Sequence, residues 1–356
     1  MLTMPNDAAL PDILDSMDTM LKSQARIYMH LARVATQRFG REGERSVRLG
    51  LRAYGHWRGR EMQEAHHALG KPVNMETLMR CWDNASTYVA KDTIADEGRY
   101  TPNDVEFDVF HCPASEAWKE GDFHQMGHWY CDEFHQAAAR TYHPDGNVTI
   151  HENLMKGDDH CHFRWIMPPA SAPHDPGATT ELGERLSEDY RAASEIEGAW
   201  KSLKRSNRLL GGHFFTCARP IIERHGEEGR AAVAEALADW GADRGRRLRK
   251  RHEERGRAVS LESFVADHDL PMRLIWPVRE VESGPQRVVV EIDETPQDEA
   301  FLDSDAAELG RLWYEASYPA MAQAYMPGTQ AVWSALVSRG DATNRLELEA
   351  PAAARA

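Results

Sequence analysis

The hydrophobic positions in the first part of the chain have the spacing of α-helices. Between residues 21 and 68, apolar residues recur at three- and four-residue intervals: Ile27, Leu31, Val34, Val47 and Leu51. This stretch contains no proline, which favours continuous helix. We expect a break near Gly40 to divide it into at least two helices.

Shorter segments further along have the alternation of β-strands. The segment VEFDVFHCP at 105–113 alternates apolar and polar residues. The segment KGDDHCHF at 156–163 leads into another predicted strand, and a helix is predicted between the two. Helices followed by a hairpin, a helix and a final strand predict an α+β unit, with helices packed on a small antiparallel sheet.

The pattern occurs twice. The sequence from Arg38 recurs from Arg224, at an offset of 186 residues and without a gap. Five glycines coincide in this register: Gly40, Gly43, Gly55, Gly59 and Gly70 match Gly226, Gly229, Gly241, Gly245 and Gly256. With small gaps, 105–113 then matches 288–296, 128–134 matches 312–318, and 156–163 matches 339–346. We interpret this as an internal duplication.

The repeat predicts two tandem related units. Residues 1–167 form the first unit, 168–195 a linker rich in Pro, Ala and Ser, and 196–356 a degenerate, structural second unit. The Gly-x-x-x-Gly at 55–59 and 241–245 favours close helix packing. The basic run 244–257 is interpreted as a solvated or ion-paired helix face.

Composition limits the range of functions. The formal net charge is −15, which argues against nucleic acid or an anionic membrane as a partner. No run of about 18 apolar residues predicts a membrane span, and the acidic N-terminus does not resemble a signal peptide. The five cysteines lack the spacing of a secreted disulfide framework. We therefore expect a reduced, cytoplasmic protein with a small-molecule substrate, and leave open a homo-oligomer.

One predicted helix face carries reactive side chains. His124, His128, Cys131 and His135 follow the i, i+4, i+7, i+11 spacing of a single face. A helix face that packs in a core normally carries Leu, Ile, Val or Ala there. The alternative is a solvated face in a histidine-rich protein.

The cysteines distinguish the two units. The sequence match places Thr295 opposite Cys112, Glu315 opposite Cys131 and Asn344 opposite Cys161. The three thiols are therefore confined to the first unit, whereas Gly157 and Asp158 recur as Gly340 and Asp341. This asymmetry predicts a site in the first unit.

Three elements carry a resemblance to a known family. Cys112-Pro113 after a strand, Cys131 in the following helix, and Gly157-Asp158-x-x-Cys161-x-Phe163 before a strand resemble the L-2-amino-thiazoline-4-carboxylic acid hydrolase family. The resemblance implies hydrolytic opening of a thiazoline ring to N-carbamoyl-cysteine, or action on a related small C–N or C–S substrate.

The chemistry of these side chains leaves several readings open. Nearby histidines can activate a cysteine nucleophile, so we predict a catalytic set of Cys131, Cys161, Cys112, His128, Asp158 and Asp132, with the aspartates orienting an imidazole. Alternatively His124, His128, Cys131 and Cys161 bind Zn²⁺ or Fe²⁺ as a cofactor for hydrolysis, a lyase or a redox step. A third reading is a non-catalytic small-molecule or metal sensor.

Overall fold

The computed structural model describes residues 3–83, 98–187 and 194–351. It contains two α+β units, each with its own four-stranded antiparallel sheet, which confirms the predicted fold class. The first unit comprises α1 (Leu10–Ala68), α2 (Met75–Arg80), β1 (Arg99–Thr101), β2 (Asp104–Val109), α3 (Pro113–Glu120), α4 (His124–Tyr142), β3 (Asn147–Ile150) and β4 (Cys161–Ile166). A short helix, α5 (Glu181–Leu186), lies in the predicted linker.

The second unit has the same order of main elements. It comprises α6 (Glu195–Glu254), α7 (Leu261–Ala266), α8 (Met272–Ile275), β5 (Val278–Ser283), β6 (Arg287–Ile292), α9 (Pro296–Asp303), α10 (Ala307–Tyr325), β7 (Gln330–Ala335), a 3₁₀ turn (Val337–Arg339) and β8 (Asn344–Glu349). The strand orders are β1-β2-β4-β3 and β5-β6-β8-β7. The two sheets therefore share one topology.

Each unit begins with a long kinked helix. The kink of α1 is at Gly40 (φ 56°, ψ −129°) and that of α6 at Gly226 (φ 58°, ψ −134°). Glycine adopts a positive φ at little cost, whereas other L-residues are strained there. The predicted break near Gly40 is confirmed, and a matching break occurs at its repeat partner.

The repeated Gly-x-x-x-Gly segments are sites of close helix packing, as predicted. A Cβ at Gly55 or Gly59 would collide with backbone atoms of α4, and one at Gly241 or Gly245 with those of α10. The missing side chains allow α1 and α6 to approach these helices within backbone contact. In the first unit, α4 is thereby held between α1 and the sheet.

A constant offset relates the second parts of the units. Helices α3 and α9 begin at Pro113 and Pro296, and strands β4 and β8 at Cys161 and Asn344, an offset of 183 residues. Gly55 meets the carbonyl of Phe134, and Gly241 that of Ser317, which gives the same offset on α4 and α10.

The structure therefore corrects the sequence match by one residue on this helix. Tyr314, and not Glu315, occupies the position of Cys131. The counterparts of His124, His128 and His135 are Ala307, Arg311 and Tyr318 instead of Glu308, Leu312 and Pro319. Likewise, Trp129 and Tyr130 match Leu312 and Trp313. A duplication as the origin of the likeness stays a prediction.

A buried charge network joins the two long helices. Asp83 pairs with Arg58 of α1 (2.7 Å) and with Arg205 of α6 (2.8 Å). Glu61 of α1 pairs with Arg205 (2.8 Å) and Arg208 (2.5 Å) of α6. Removal of one partner would leave a buried charge uncompensated. These ion pairs therefore stabilise the contact between α1 and α6.

The basic run 244–257 is ion-paired. Arg244 pairs with Asp269 at 2.7 Å, and Arg247 reaches Glu120 of the first unit at 3.4 Å. This confirms the ion-paired interpretation of the run. Over the described residues, no helix has both the length and the apolar character needed to cross a membrane.

Candidate active site in the first unit

Three thiols of the first unit converge. Cys112 is the N-cap of α3, Cys131 lies on α4, and Cys161 begins β4. Burial raises the pKa of Cys131 well above its ordinary value, and the neighbouring Cys161 and Cys112 raise it further. An electrostatic effect of this kind places the three thiols in the same region of the unit. We call these three residues the thiol cluster.

Cys112 has the environment closest to that of an activated thiol. Burial raises its pKa, while the backbone N–H groups of Ser115 and Ala114 in the first turn of α3 act in the opposite direction. A helix N-terminus stabilises a thiolate through its free N–H groups and its dipole. Neither Cys131 nor Cys161 lies at such a position.

The histidines beside Cys161 in sequence are not beside its thiol in space. Residues of β4 alternate between buried and half-buried from Cys161 onward, so His162 points to the opposite face of the sheet. His160 also lies on that outer face, within ion-pair range of Asp108. Burial raises the pKa of Cys161 to about 11, although the N–H of Leu154 donates to its Sγ at 3.4 Å. His160 and His162 therefore lie on the other side of the sheet from the Cys161 thiol.

The predicted histidine face runs from solvent into the protein. His124 is exposed, and His128 and Cys131 are half-buried. The ring centroid of His135 lies 5.1 Å from that of Phe163 and 5.8 Å from that of Trp165. Burial lowers the pKa of His128 and lowers that of His135 to about 4.

The predicted metal set is not assembled. No three donor atoms of His124, His128, Cys131 and Cys161 lie within 4.8 Å of one another, although all four residues are in the described part of the chain. In the helix, successive members are separated along the axis. Cys161 approaches only the inner end of the set.

The predicted carboxylates have other partners. Asp132 is exposed and pairs with Lys156 at 3.3 Å. Asp158 accepts the backbone N–H of Asn153 at 2.6 Å, and its counterpart Asp341 accepts that of Leu336 at 2.8 Å. Both units keep this hydrogen bond from a backbone N–H to the aspartate. We therefore infer that Asp158 stabilises a turn. Neither aspartate is hydrogen-bonded to His128 or His135, although the Asp132 charge raises the pKa of His128, so the orienting role stays a prediction.

Two buried donors beside the cluster were not singled out from the sequence. Asn153 is 1% exposed, and its Nδ2 makes no hydrogen bond of normal geometry. Its amide lowers the pKa of the adjacent Cys131. Trp165, also 1% exposed, has an Nε1 without a partner. The repeat contains the signal for both, since the matching positions hold Leu336 and Leu348.

His135 provides an unprotonated ring nitrogen. Its Nδ1 lies 3.0 Å from the carbonyl oxygen of Cys131, which can only accept a hydrogen bond. Nδ1 therefore carries the proton of the neutral ring, and Nε2 has the free lone pair. The sequence placed His135 on the reactive face, one turn from Cys131.

The matching positions of the second unit form a closed network. Thr295, Tyr314 and Asn344 replace the three cysteines, and Asp298 replaces Ser115. The Asp298 carboxylate accepts from Thr295 Oγ1 (2.8 Å), Tyr314 OH (2.9 Å) and Asn344 Nδ2 (2.8 Å). We call these four residues the Asp298 network. Their convergence is independent evidence that this backbone arrangement brings the cysteine positions together.

Comparison with known proteins gives one match. A family model described as L-2-amino-thiazoline-4-carboxylic acid hydrolase matches residues 20–165. No curated protein and no solved structure matches the chain. The matched segment contains the whole thiol cluster and ends within β4. Over this segment the first unit is similar to the L-2-amino-thiazoline-4-carboxylic acid hydrolase family.

Proposed function

We propose that the first unit hydrolyses a small heterocycle of the thiazoline-carboxylate type, with Cys112 as the nucleophile. The observation that carries the proposal is the convergence of Cys112, Cys131 and Cys161 in the unit that matches a hydrolase family. The matching residues of the second unit have no thiol and are bonded to one another.

The position of Cys112 supports its choice as nucleophile. Cys112 has the N-cap position of α3 that Thr295 has on α9, where Thr295 Oγ1 accepts the N–H of Asp298 at 3.1 Å. A Cys112 thiolate would meet the equivalent N–H groups at the start of α3. Burial raises the pKa of all three thiols, but only Cys112 lies at a helix N-terminus, where two backbone N–H groups oppose that effect.

The reaction on a 2-aminothiazoline is then a double displacement. The Cys112 thiolate attacks the ring carbon between nitrogen and sulfur, and the bond from that carbon to the ring sulfur breaks. The departing sulfur takes a proton, and the substrate carbon stays bound to Cys112 as an isothiouronium. Water then adds to this carbon, the bond to Cys112 breaks, and an N-carbamoyl amino thiol is released.

The surrounding groups have suitable roles in these steps. The free Nε2 of His135 can accept a proton from Cys112 or from the attacking water, through water if the distance requires it. Asn153 Nδ2, which lies beside Cys131, and the unpartnered Trp165 Nε1 can donate to polar atoms of the bound substrate. A buried donor that lacks a partner in the free protein gains a full hydrogen bond from the ligand.

Direct turnover tests the proposal. Tag-free protein is incubated with L-2-amino-thiazoline-4-carboxylate, and N-carbamoyl-cysteine is quantified by liquid chromatography and mass spectrometry. We expect Cys112→Ser to lower kcat/KM by roughly 10³-fold or more, while serine is a favoured residue at the N-cap of α3. Cys217→Ser is the matched control, because Cys217 is a buried cysteine of α6 outside the cluster.

The outcomes separate substrate from mechanism. No product from the wild-type protein would refute the thiazoline-carboxylate substrate. Product formation by folded Cys112→Ser at the wild-type rate would refute the nucleophile. A mass increase confined to Cys112 after rapid acid quench would support the covalent step.

A further inference from the structure

A second group of potential ligands lies on the outer face of the first sheet, away from the thiol cluster. Asp108 on β2 and His162 on β4 are direct cross-strand partners, and His160 immediately precedes β4. His162 Nδ1 lies 2.6 Å from Asp108 Oδ1, and His160 Nε2 lies 3.5 Å from the same oxygen. One donor atom from each of the three lies within 4.8 Å of the other two.

Two glutamates complete this group. Glu152 Oε2 lies 2.9 Å from His160 Nε2 and can serve as a fourth ligand. Glu106 Oε1 lies 3.1 Å from His162 Nε2, on the far side of that ring. A carboxylate that accepts from one ring nitrogen leaves the other free for a metal, which is the usual arrangement of metal-bound histidines.

The second unit has a permanent cation at this place. Glu291 and Arg345 occupy the positions of Asp108 and His162, and Arg345 Nη1 pairs with Glu291 Oε1 at 2.6 Å. Thr343 stands at the position of His160. The first unit thus has two imidazoles where the second has an arginine. The carboxylates beside these imidazoles can bind a metal cation together with them.

We propose that Asp108, His160, His162 and Glu152 form a binding site for a divalent transition metal of the Zn²⁺ type, with Glu106 orienting His162. In a tetrahedral site with Zn–N bonds of about 2.0–2.1 Å, neighbouring donors are about 3.3 Å apart. Within the set of Asp108, His160 and His162, the separations of 2.6 and 3.5 Å require only small side-chain movements, whereas Glu152 contacts His160 at 2.9 Å and must move further towards the other two. Two imidazoles and two carboxylates suit Zn²⁺, Co²⁺ and Ni²⁺.

The site is linked to the thiol cluster through one strand. His160 and His162 flank Cys161, whose side chain points to the inner face. A metal held by Asp108 and both histidines would tie β2 to the start of β4. It would thereby restrain the backbone that carries Cys161, without touching the thiol.

Cobalt titration tests the site, because Co²⁺ reports its ligands in the absorption spectrum. Metal-free, tag-free protein is titrated with Co²⁺ under reducing-agent-free, anaerobic conditions. We expect one equivalent to bind with visible d–d bands and without a near-ultraviolet sulfur-to-cobalt band. The double variant His160→Gln/His162→Gln should bind about 100-fold more weakly or worse.

The matched control is His124→Gln, which removes an exposed histidine of α4 outside the site. It should bind Co²⁺ as the wild type does, and Cys112→Ser should do the same. Unaltered binding by the double variant, or a sulfur-to-cobalt band lost in Cys112→Ser, would overturn the proposal. Metal-free melting curves show whether each variant is folded. Co²⁺ should raise the Tm of the wild type and leave the Tm of the double variant unchanged.

Discussion

The two units place different chemistry on the same backbone positions. In the first unit these positions hold Cys112, Cys131 and Cys161, with a small Ser115 beside them. In the second unit they hold Thr295, Tyr314 and Asn344, all hydrogen-bonded to Asp298. One arrangement leaves reactive groups facing one another, and the other satisfies its polar groups internally.

The two units share the residues that determine the fold but not the residues that could react. The kink glycines, the close helix packing and the strand order are shared. The thiols, Asn153 and Trp165 are confined to the first unit. Buried polar groups are most stable when they have partners. The Asp298 network supplies these partners from within, whereas we propose that the substrate supplies them in the first unit.

The largest expected effect on stability is in the Asp298 network. Asp298→Ala would leave Thr295, Tyr314 and Asn344 without an acceptor in a site where Asp298 is 1% exposed. We expect the free energy of unfolding to fall by about 3 kcal/mol. The matched change Ser115→Ala should cost about 1 kcal/mol or less, because it removes one hydrogen bond, to the Cys112 carbonyl. Urea denaturation measures both, and equal costs would contradict the comparison.

The buried histidine at the end of each long helix should respond differently to pH. His66 bonds Tyr142 OH and the Cys81 carbonyl, and burial lowers its pKa from 6.5 to about 4. The folded state therefore binds this proton less readily than the unfolded state. Its contribution to stability is complete above pH 6.5 and is lost as the pH falls towards 4.

His66→Gln should therefore reduce the loss of unfolding free energy between pH 6.5 and pH 4 by roughly 3 kcal/mol. His252→Gln should reduce it less, because Asp267, 3.3 Å from His252 Nε2, offsets part of the lowering of its pKa by burial. Urea midpoints across this pH range give the comparison. A larger effect from His252→Gln would reverse our interpretation.

The close-packing glycines test the architecture that the two units share. Gly55→Ala and Gly241→Ala should each lower the free energy of unfolding by about 1–3 kcal/mol, because the added methyl meets backbone atoms of α4 or α10. We expect the larger loss for Gly241, where the nearest atoms all belong to the Ser317 backbone. Gly70→Ala is the control, since its Cβ meets nothing within 4 Å and only its φ of 67° is unfavourable. Thermal or urea unfolding checks the order.

Much of the fold could be predicted from the sequence because local signals repeat. Helical spacing, five coincident glycines and the Cys112-Pro113 strand end predicted two α+β units and the break at Gly40. The glycine register held because the two long helices match without a gap. The sequence match of α4 with α10 was wrong by one residue, because it aligned the Trp-Tyr pair that occurs in both helices. The contacts of Gly55 with α4 and of Gly241 with α10 show the structural register.

The site was predicted less completely, for a physical reason. Sequence neighbours on a strand point to opposite faces, so His160 and His162 flank Cys161 in the chain but lie on the other side of the sheet. Asp132 and Asp158 were near the right segments, yet their partners are Lys156 and a backbone N–H. Asn153 escaped notice because nothing local distinguishes a functional amide from a turn residue.

The sequence by itself determined the elements, their repetition and the confinement of three thiols to the first unit, because these depend on spacing and residue type. Only the tertiary structure decided which side chains meet. It placed Cys112 at a helix N-terminus facing Cys131 and Cys161, and gathered Asp108, His160 and His162 on the outer face of the sheet. Such contacts depend on the packing of distant segments, which local patterns do not specify.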